Sequence, residues 1–248
     1  MIDLKNKVVV IAGATGGVGR ALVASLAKKN ATLVLLGRSQ EKLDTILDTL
    51  KGEGHKRCVV DFSQEKSIQG VAEAILKDFS QIDVLINTAG YGVYKPIEEV
   101  AFKEWDDSFA IGVTAPYFLT KFLLPAITKS DISLIVNMGS GAGVFPMAGR
   151  SVYNIQKYAL RGMTLSLALE FERTNTHFCL MTMGSILTEF GPMTLDEKKQ
   201  EMESGKAYFT PEWVAEKITD IIQDENRKTE YELYPSNYEV DSGKQDIT

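Results

Sequence analysis

Tyr153 and Lys157 stand four residues apart in Ser151-Val152-Tyr153-Asn154-Ile155-Gln156-Lys157, at the start of a long helical pattern. In a helix that spacing puts both side chains on one face, one turn apart. An ammonium beside a phenol favours phenolate and draws a pKa of about 10 towards neutrality, which makes Tyr153 a candidate general acid/base. Taken alone, the pair is equally readable as two solvated residues on an exposed helix. Thirteen residues before Tyr153, Ser140 lies in Gly139-Ser140-Gly141-Ala142-Gly143, directly after the apolar run Ile132 to Met138. A strand-end hydroxyl and a helix-start phenol can both approach one carbonyl oxygen.

A second group has the composition of a phosphate cradle. The string Gly13-Ala14-Thr15-Gly16-Gly17-Val18-Gly19 follows the β-branched run Lys7 to Ala12 and precedes a helical pattern from Arg20 to Lys29. Small residues there allow a tight turn, close approach of backbone to a pyrophosphate, and helix amides aimed at its charge; a plain structural turn is the simpler alternative. After the next strand-like run, Thr32 to Leu36, comes Gly37-Arg38-Ser39. An NAD site usually offers a carboxylate to the ribose at that point, whereas Arg38 can pair with a 2′-phosphate or simply be solvated. Asp61-Phe62 and Asn87-Thr88-Ala89-Gly90 end two further strand-like runs, Arg57 to Val60 and Ile82 to Ile86.

The elements that must position these residues alternate. Helical patterns at Gln40 to Leu50 and from an N-cap at Ser63 through Phe79 separate the first four strands; Pro96 to Phe109 and Val113 to Ile127 read as two helices meeting at Gly112. Ile132 to Met138, Phe178 to Met183 and Glu230 to Tyr234 complete seven strands. Runs without polar alternation, each followed by a helix, imply an α/β fold: a single doubly wound Rossmann domain with a mostly parallel seven-stranded sheet and helices on both faces. No Pro/Ser-rich linker divides the 248 residues. With 27 basic and 33 acidic residues the net charge is 27 − 33 = −6, which gives no general attraction to nucleic acid. The two cysteines, Cys58 and Cys179, and the two histidines, His55 and His177, lack metal-ligand spacing. A reduced, cytoplasmic protein without a membrane segment is expected.

Taken together, these motifs resemble the short-chain dehydrogenase/reductase family of compact type, from about residue 5 to about residue 235. The resemblance implies that Tyr153 exchanges a proton with the substrate oxygen and Ser140 polarises it, while Lys157 holds the nicotinamide ribose and lowers the tyrosine pKa. It implies that the Gly13 to Gly19 turn binds the pyrophosphate and that Asp61 and Phe62 lie near the adenine. Asn87, Ala89 and Gly90 fall near the adenosine ribose, and Gly184, Ile186 and Thr188 beside the nicotinamide. Arg38 sits where members preferring NADP(H) over NAD(H) carry a basic residue, and a homodimer or homotetramer is implied. Three positions depart from the family: Gly112 replaces an asparagine whose backbone carbonyl holds a water in the proton relay, Thr88 replaces a second asparagine, and Met183 replaces a proline.

The expected function is an NADPH-dependent carbonyl reductase acting on a small carbonyl or alcohol substrate; a regulatory or scaffold protein that binds NADP without turnover is the alternative. Gly141, Phe145, Met147 and Met183 could line the substrate pocket, and so could Tyr91, Tyr94 and Met193, though ordinary packing accounts for them too. This apolar set, with no clustered basic residues in a substrate lid over residues 189–209, points to a neutral or apolar carbonyl. A polar, disordered tail is expected over 236–248.

Overall fold

The structure, a computed structural model, describes residues 2–238. Seven strands form one sheet: β1 (Val8–Ala12), β2 (Thr32–Gly37), β3 (Lys56–Val59), β4 (Val84–Asn87), β5 (Ser133–Met138), β6 (Thr176–Met183) and β7 (Glu230–Leu233). Their order is β3-β2-β1-β4-β5-β6-β7 and every pairing is parallel. Alternation along each strand feeds two cores. Val9 and Ile11 pack on one face with α1 (Gly17–Ala27) and α8 (Pro211–Gln223); Val10 and Ala12 pack on the other with α3 (Glu65–Asp78) and α5 (Ala115–Ile127).

The strand order reverses between β1 and β4, where an open α/β sheet leaves a crevice at its carboxyl edge. Register brings the site segments level there. Ala12 pairs with Asn87 and Asn87 with Asn137, so the Gly13 turn, Thr88-Ala89-Gly90 and the Ser140 loop leave the sheet side by side.

Several boundaries differ from the sequence expectation for local reasons. Helix α1 starts at Gly17, inside the glycine turn, and α2 (Gln40–Leu47) stops short of Leu50. Ser63 does not cap α3: it donates to the Asp61 carboxylate at 2.8 Å, and Gln64 is the N-cap. Pro96 opens only a single turn, Ile97–Glu99, and α4 begins at Phe102. From there α4 (Phe102–Phe109) runs without a break through a π-helical turn, Ala110–Thr114, into α5. The run Phe102–Ile127 is 26 residues and apolar enough to cross a membrane by length and composition, yet Leu119, Leu123 and Ile127 are buried against α3 and the sheet. The remaining helices are α6 (Ser151–Glu170), which carries Tyr153, and α7 (Leu195–Glu203) in the segment expected to be a lid. Of the tail expected to be disordered over 236–248, Ser236 and Asn237 instead complete a helical turn begun by Pro235, and residues 239–248 lie outside the described residues.

Candidate active site

The glycine turn is built by backbone touching backbone. Gly13 has φ +89°, and a Cβ on it would sit 2.7 Å from the Ala89 amide nitrogen. A Cβ on Gly19 would sit 2.1 Å from the Gly13 carbonyl oxygen. No side chain caps the first turn of α1, so its amides are available to an anion. Thr88, in place of asparagine, secures the neighbouring strand end by donating to the Ala12 carbonyl at 2.8 Å.

This turn opens into a cleft of about 1440 Å³ that runs to Ser140, Tyr153 and Lys157. Its wall includes Gly13, Thr15, Gly16, Gly17, Val18 and Gly19, then Arg38, Phe62, Ala89 and Gly90, and on the far side Gly184, Ile186 and Thr188. Gly141, Phe145, Met147 and Met183 line it too. Two expected cofactor residues do not. The Asn87 side chain is turned into the sheet, where it donates to Asn137 at 2.8 Å, and Asn137 in turn donates to Thr164 at 2.9 Å. Asp61 spends its carboxylate on the Ser63 amide and hydroxyl, which hold its pKa below the usual carboxylate range.

Tyr153 and Lys157 share the inner face of α6 and are both buried. The expected ammonium–phenol pairing takes a different form. Lys157 Nζ donates to the Met138 carbonyl at 2.8 Å and lies 5.8 Å from the centre of the Tyr153 ring. Burial, with no carboxylate to offset it, lowers the Lys157 pKa to about 8. Burial also raises the Tyr153 pKa, against smaller opposing effects from the Ser140 and Tyr94 hydroxyls and from the Arg150 charge. In the protein alone Tyr153 is therefore a held proton, poised as an acid.

Side chains from distant segments set this geometry. Asn154, next to Tyr153, donates to the Ala142 and Phe145 carbonyls, both at 2.7 Å, and so ties α6 to the Ser140 loop. Tyr94 packs on Tyr153 with ring centroids 5.2 Å apart, and Phe190 closes over both at 6.1 and 6.5 Å. Lys198 of α7 donates to the Thr188 and Phe190 carbonyls at 2.6 Å each, which pins that loop over the cleft. Gln156 fills the space opposite Gly112, where a Cβ would lie 2.3 Å from its amide. Sequence reasoning placed Tyr94 among pocket candidates but missed Asn154, Arg150, Gln156, Phe190 and Lys198. The position of Asn154 within the Tyr153-x-x-x-Lys157 turn was the only available signal, since the others become neighbours only through the fold.

A parallel sheet with a glycine cradle at its topological switch point, joined to a Ser-Tyr-Lys group whose tyrosine and lysine are buried, defines a Rossmann-type oxidoreductase. The family description "short chain dehydrogenase" matches residues 7–199, and the chain belongs to that family. It is 31% identical over 202 residues to dehydrogenase/reductase SDR family member 4 of Homo sapiens, covering 80% of this chain and 73% of the human one. Its fold superposes with a TM-score of 0.81 on a short-chain dehydrogenase from Burkholderia phymatum solved with NAD, at 22% identity, covering 93% and 90% of the two chains. L-Sorbose reductase of Gluconobacter frateurii, solved with NADPH and L-sorbose, superposes at 0.83 and 24% identity, covering 94% and 97%.

Proposed function

We propose that the protein is an NADP(H)-dependent carbonyl reductase with Tyr153 as the proton donor. The observation that carries this reading is that Ser140, the buried Tyr153 and Lys157 line the same cleft as the glycine cradle, with the Tyr94 ring packed 5.2 Å from that of Tyr153. When bound, the nicotinamide supplies a hydride to the carbonyl carbon or takes one from the alcohol carbon. Ser140 donates a hydrogen bond to the carbonyl oxygen, and Tyr153 transfers its proton there as the carbon is reduced, leaving a secondary alcohol. Its raised pKa leaves Tyr153 protonated at neutral pH, the form that a proton donor needs. Lys157 orients the ribose and carries positive charge beside the phenolate left behind.

The cofactor preference rests on charge. Arg38 and Lys42 line the cleft just past the end of β2 and Arg20 lines it from α1, and no carboxylate follows β2 to meet a ribose hydroxyl, so a 2′-phosphate fits and NADP(H) is preferred over NAD(H). Replacing Arg38 with Ala is expected to weaken NADPH binding about 10- to 100-fold and NADH binding little; an unchanged preference removes Arg38 as the selector. Tyr153→Phe is expected to lower turnover at least about a thousandfold while NADPH affinity stays the same. A variant that kept most of its activity would exclude Tyr153 as the acid. A protein that only binds NADP, for regulation or as a scaffold, would give a dissociation constant and no turnover across a carbonyl panel.

Two further parts of the reading concern setting. Trp105, Tyr117 and Phe118 are exposed along the α4–α5 run, a face suited to a second copy of the chain, and a homodimer or homotetramer is proposed. Cys58 and the buried Cys179 are free thiols, which accords with a reducing, cytoplasmic location.

A further inference from the structure

We propose that Arg150 is the carboxylate-binding residue of the substrate pocket, and that the substrate is an oxo acid or the corresponding hydroxy acid. This rests on the reductase reading and assigns its substrate class. Arg150 lines the same cleft as Tyr153, as the residue just before α6. Its guanidinium lies over the Tyr94 ring, 5.5 Å from the centroid, and that ring packs against Tyr153 at a tilt of 45°. One of its five N–H donors meets a protein acceptor, the Met147 thioether sulfur at 3.5 Å; among the described residues none meets an oxygen. The acids that line the cleft, Glu189, Glu212 and Glu216, make no ion pair with it. A half-buried planar cation with unmet donors fits a planar, bidentate anion, and a carboxylate has that shape.

The surroundings favour such a substrate over a neutral one. Phe145 and Met147 form an apolar wall beside Arg150, while Ser140 and Tyr153 mark the place of the reacting oxygen. A short carbon chain can lie along the wall with its carbonyl at Tyr153 and its carboxylate at Arg150. No side chain caps the first turn of α6, so its amides add to the positive potential at the same end. The neutral or apolar carbonyl expected from sequence took account of the apolar side chains alone; Arg150 lies between the Ser140 loop and Tyr153 and enters the pocket only through the fold.

The test compares acetoacetate and levulinate with their methyl esters, in NADPH oxidation by the wild-type protein, Arg150→Met and Arg150→Lys. Wild type is expected to favour each acid over its ester by about tenfold or more in kcat/KM. Arg150→Met should erase that preference by raising KM for the acids about tenfold; any change in kcat that follows from removing the charge near Tyr153 should be shared by acid and ester and so cancel in their ratio. Arg150→Lys, which keeps the charge without the fork, should fall between them and guards against loss through misfolding. Equal losses on acids and esters in Arg150→Met, or a wild-type preference for esters, would overturn the assignment. If none of the four turns over, the carbonyl panel still tests the reductase reading, and calorimetric titration of acetoacetate into the NADPH-loaded protein decides the inference separately: binding lost in Arg150→Met keeps it, and no binding to wild type ends it.

Discussion

The two ends of the cleft are made of different material. At the β1 end, backbone lies against backbone: Gly19 presses on the Gly13 carbonyl, Gly13 on Ala89, and uncapped amides face the space. At the Tyr153 end the walls are side chains from four separate stretches, with Tyr94, Tyr153 and Phe190 resting on one another and Ser140 lining the same cleft. A wall of backbone tolerates no added atom because neither partner can rotate away. A wall of side chains can repack, so its chemistry can change while the fold persists.

The largest effect expected from this difference is at Gly19. Gly19→Ala forces a carbon to 2.1 Å from a carbonyl oxygen that is fixed within the turn. Dinucleotide affinity should fall by more than about a hundredfold and stability by about 2–4 kcal/mol. Fluorescence titration with NADPH and thermal melts measure both. A near-normal variant would mean that the turn is pliable and that the contrast between the two ends is mistaken.

Lys157 gives the next effect, and it separates activity from stability. A buried ammonium whose pKa has fallen to about 8 destabilises the folded protein at neutral pH. The sign follows from linkage. Between about pH 8 and the unfolded value near 10.4, the unfolded chain holds more protons than the folded one, so this group makes stability rise with pH there. Below that window its cost is fully present, on the order of 3 kcal/mol before the Met138 hydrogen bond is set against it. Lys157→Met should therefore abolish turnover while the cofactor-free protein melts at the same temperature or higher at pH 7. The gap between variant and wild type should narrow as pH rises towards 10. A lower melting temperature at every pH would show that the Met138 contact outweighs the buried charge.

The same division explains what could be read from the chain. Strand runs of Val, Ile and Leu are visible because a sheet covered on both faces needs apolar residues throughout, and the Gly13 to Gly19 turn is visible because only glycine fits it. Ser140, Tyr153 and Lys157 were legible through fixed spacing on one loop and one helix. Asn87 and Asp61 read as ligand residues because they stand at strand ends; position alone could not reveal that Asn137 and Ser63 occupy their polar groups. The Tyr153–Lys157 spacing held, but the direction of the lysine did not follow from it, since the nearest acceptor is a carbonyl of β5. Arg150, Phe190 and Lys198 left no pattern at all, because their partners lie on other segments.

Gly112 offers the smallest and most discriminating effect. Its missing side chain invites the view that it is a defect which asparagine would repair, with a gain in turnover. In the folded protein that space is already taken. The Gln156 amide lies 2.3 Å from where a Cβ on Gly112 would stand, and its nitrogen donates to the Ser108 carbonyl at 2.6 Å, the Ser108 hydroxyl at 2.9 Å and the Tyr91 carbonyl at 3.0 Å. Gln156 thereby ties the last turn of α4, just before the π-helical turn, to α6 one residue from Lys157, although its Oε1 is buried without a partner. Gly112→Asn alone is then overpacking and should cost about 1–3 kcal/mol and some turnover. Gln156→Ala alone loses those hydrogen bonds and should cost a similar amount. Combined, the two changes should cost less than their sum, because asparagine then enters the space that glutamine leaves. Strictly additive losses in melting temperature and kcat would show that Gln156 and Gly112 act independently, and a gain from Gly112→Asn alone would show that the glycine is a defect after all.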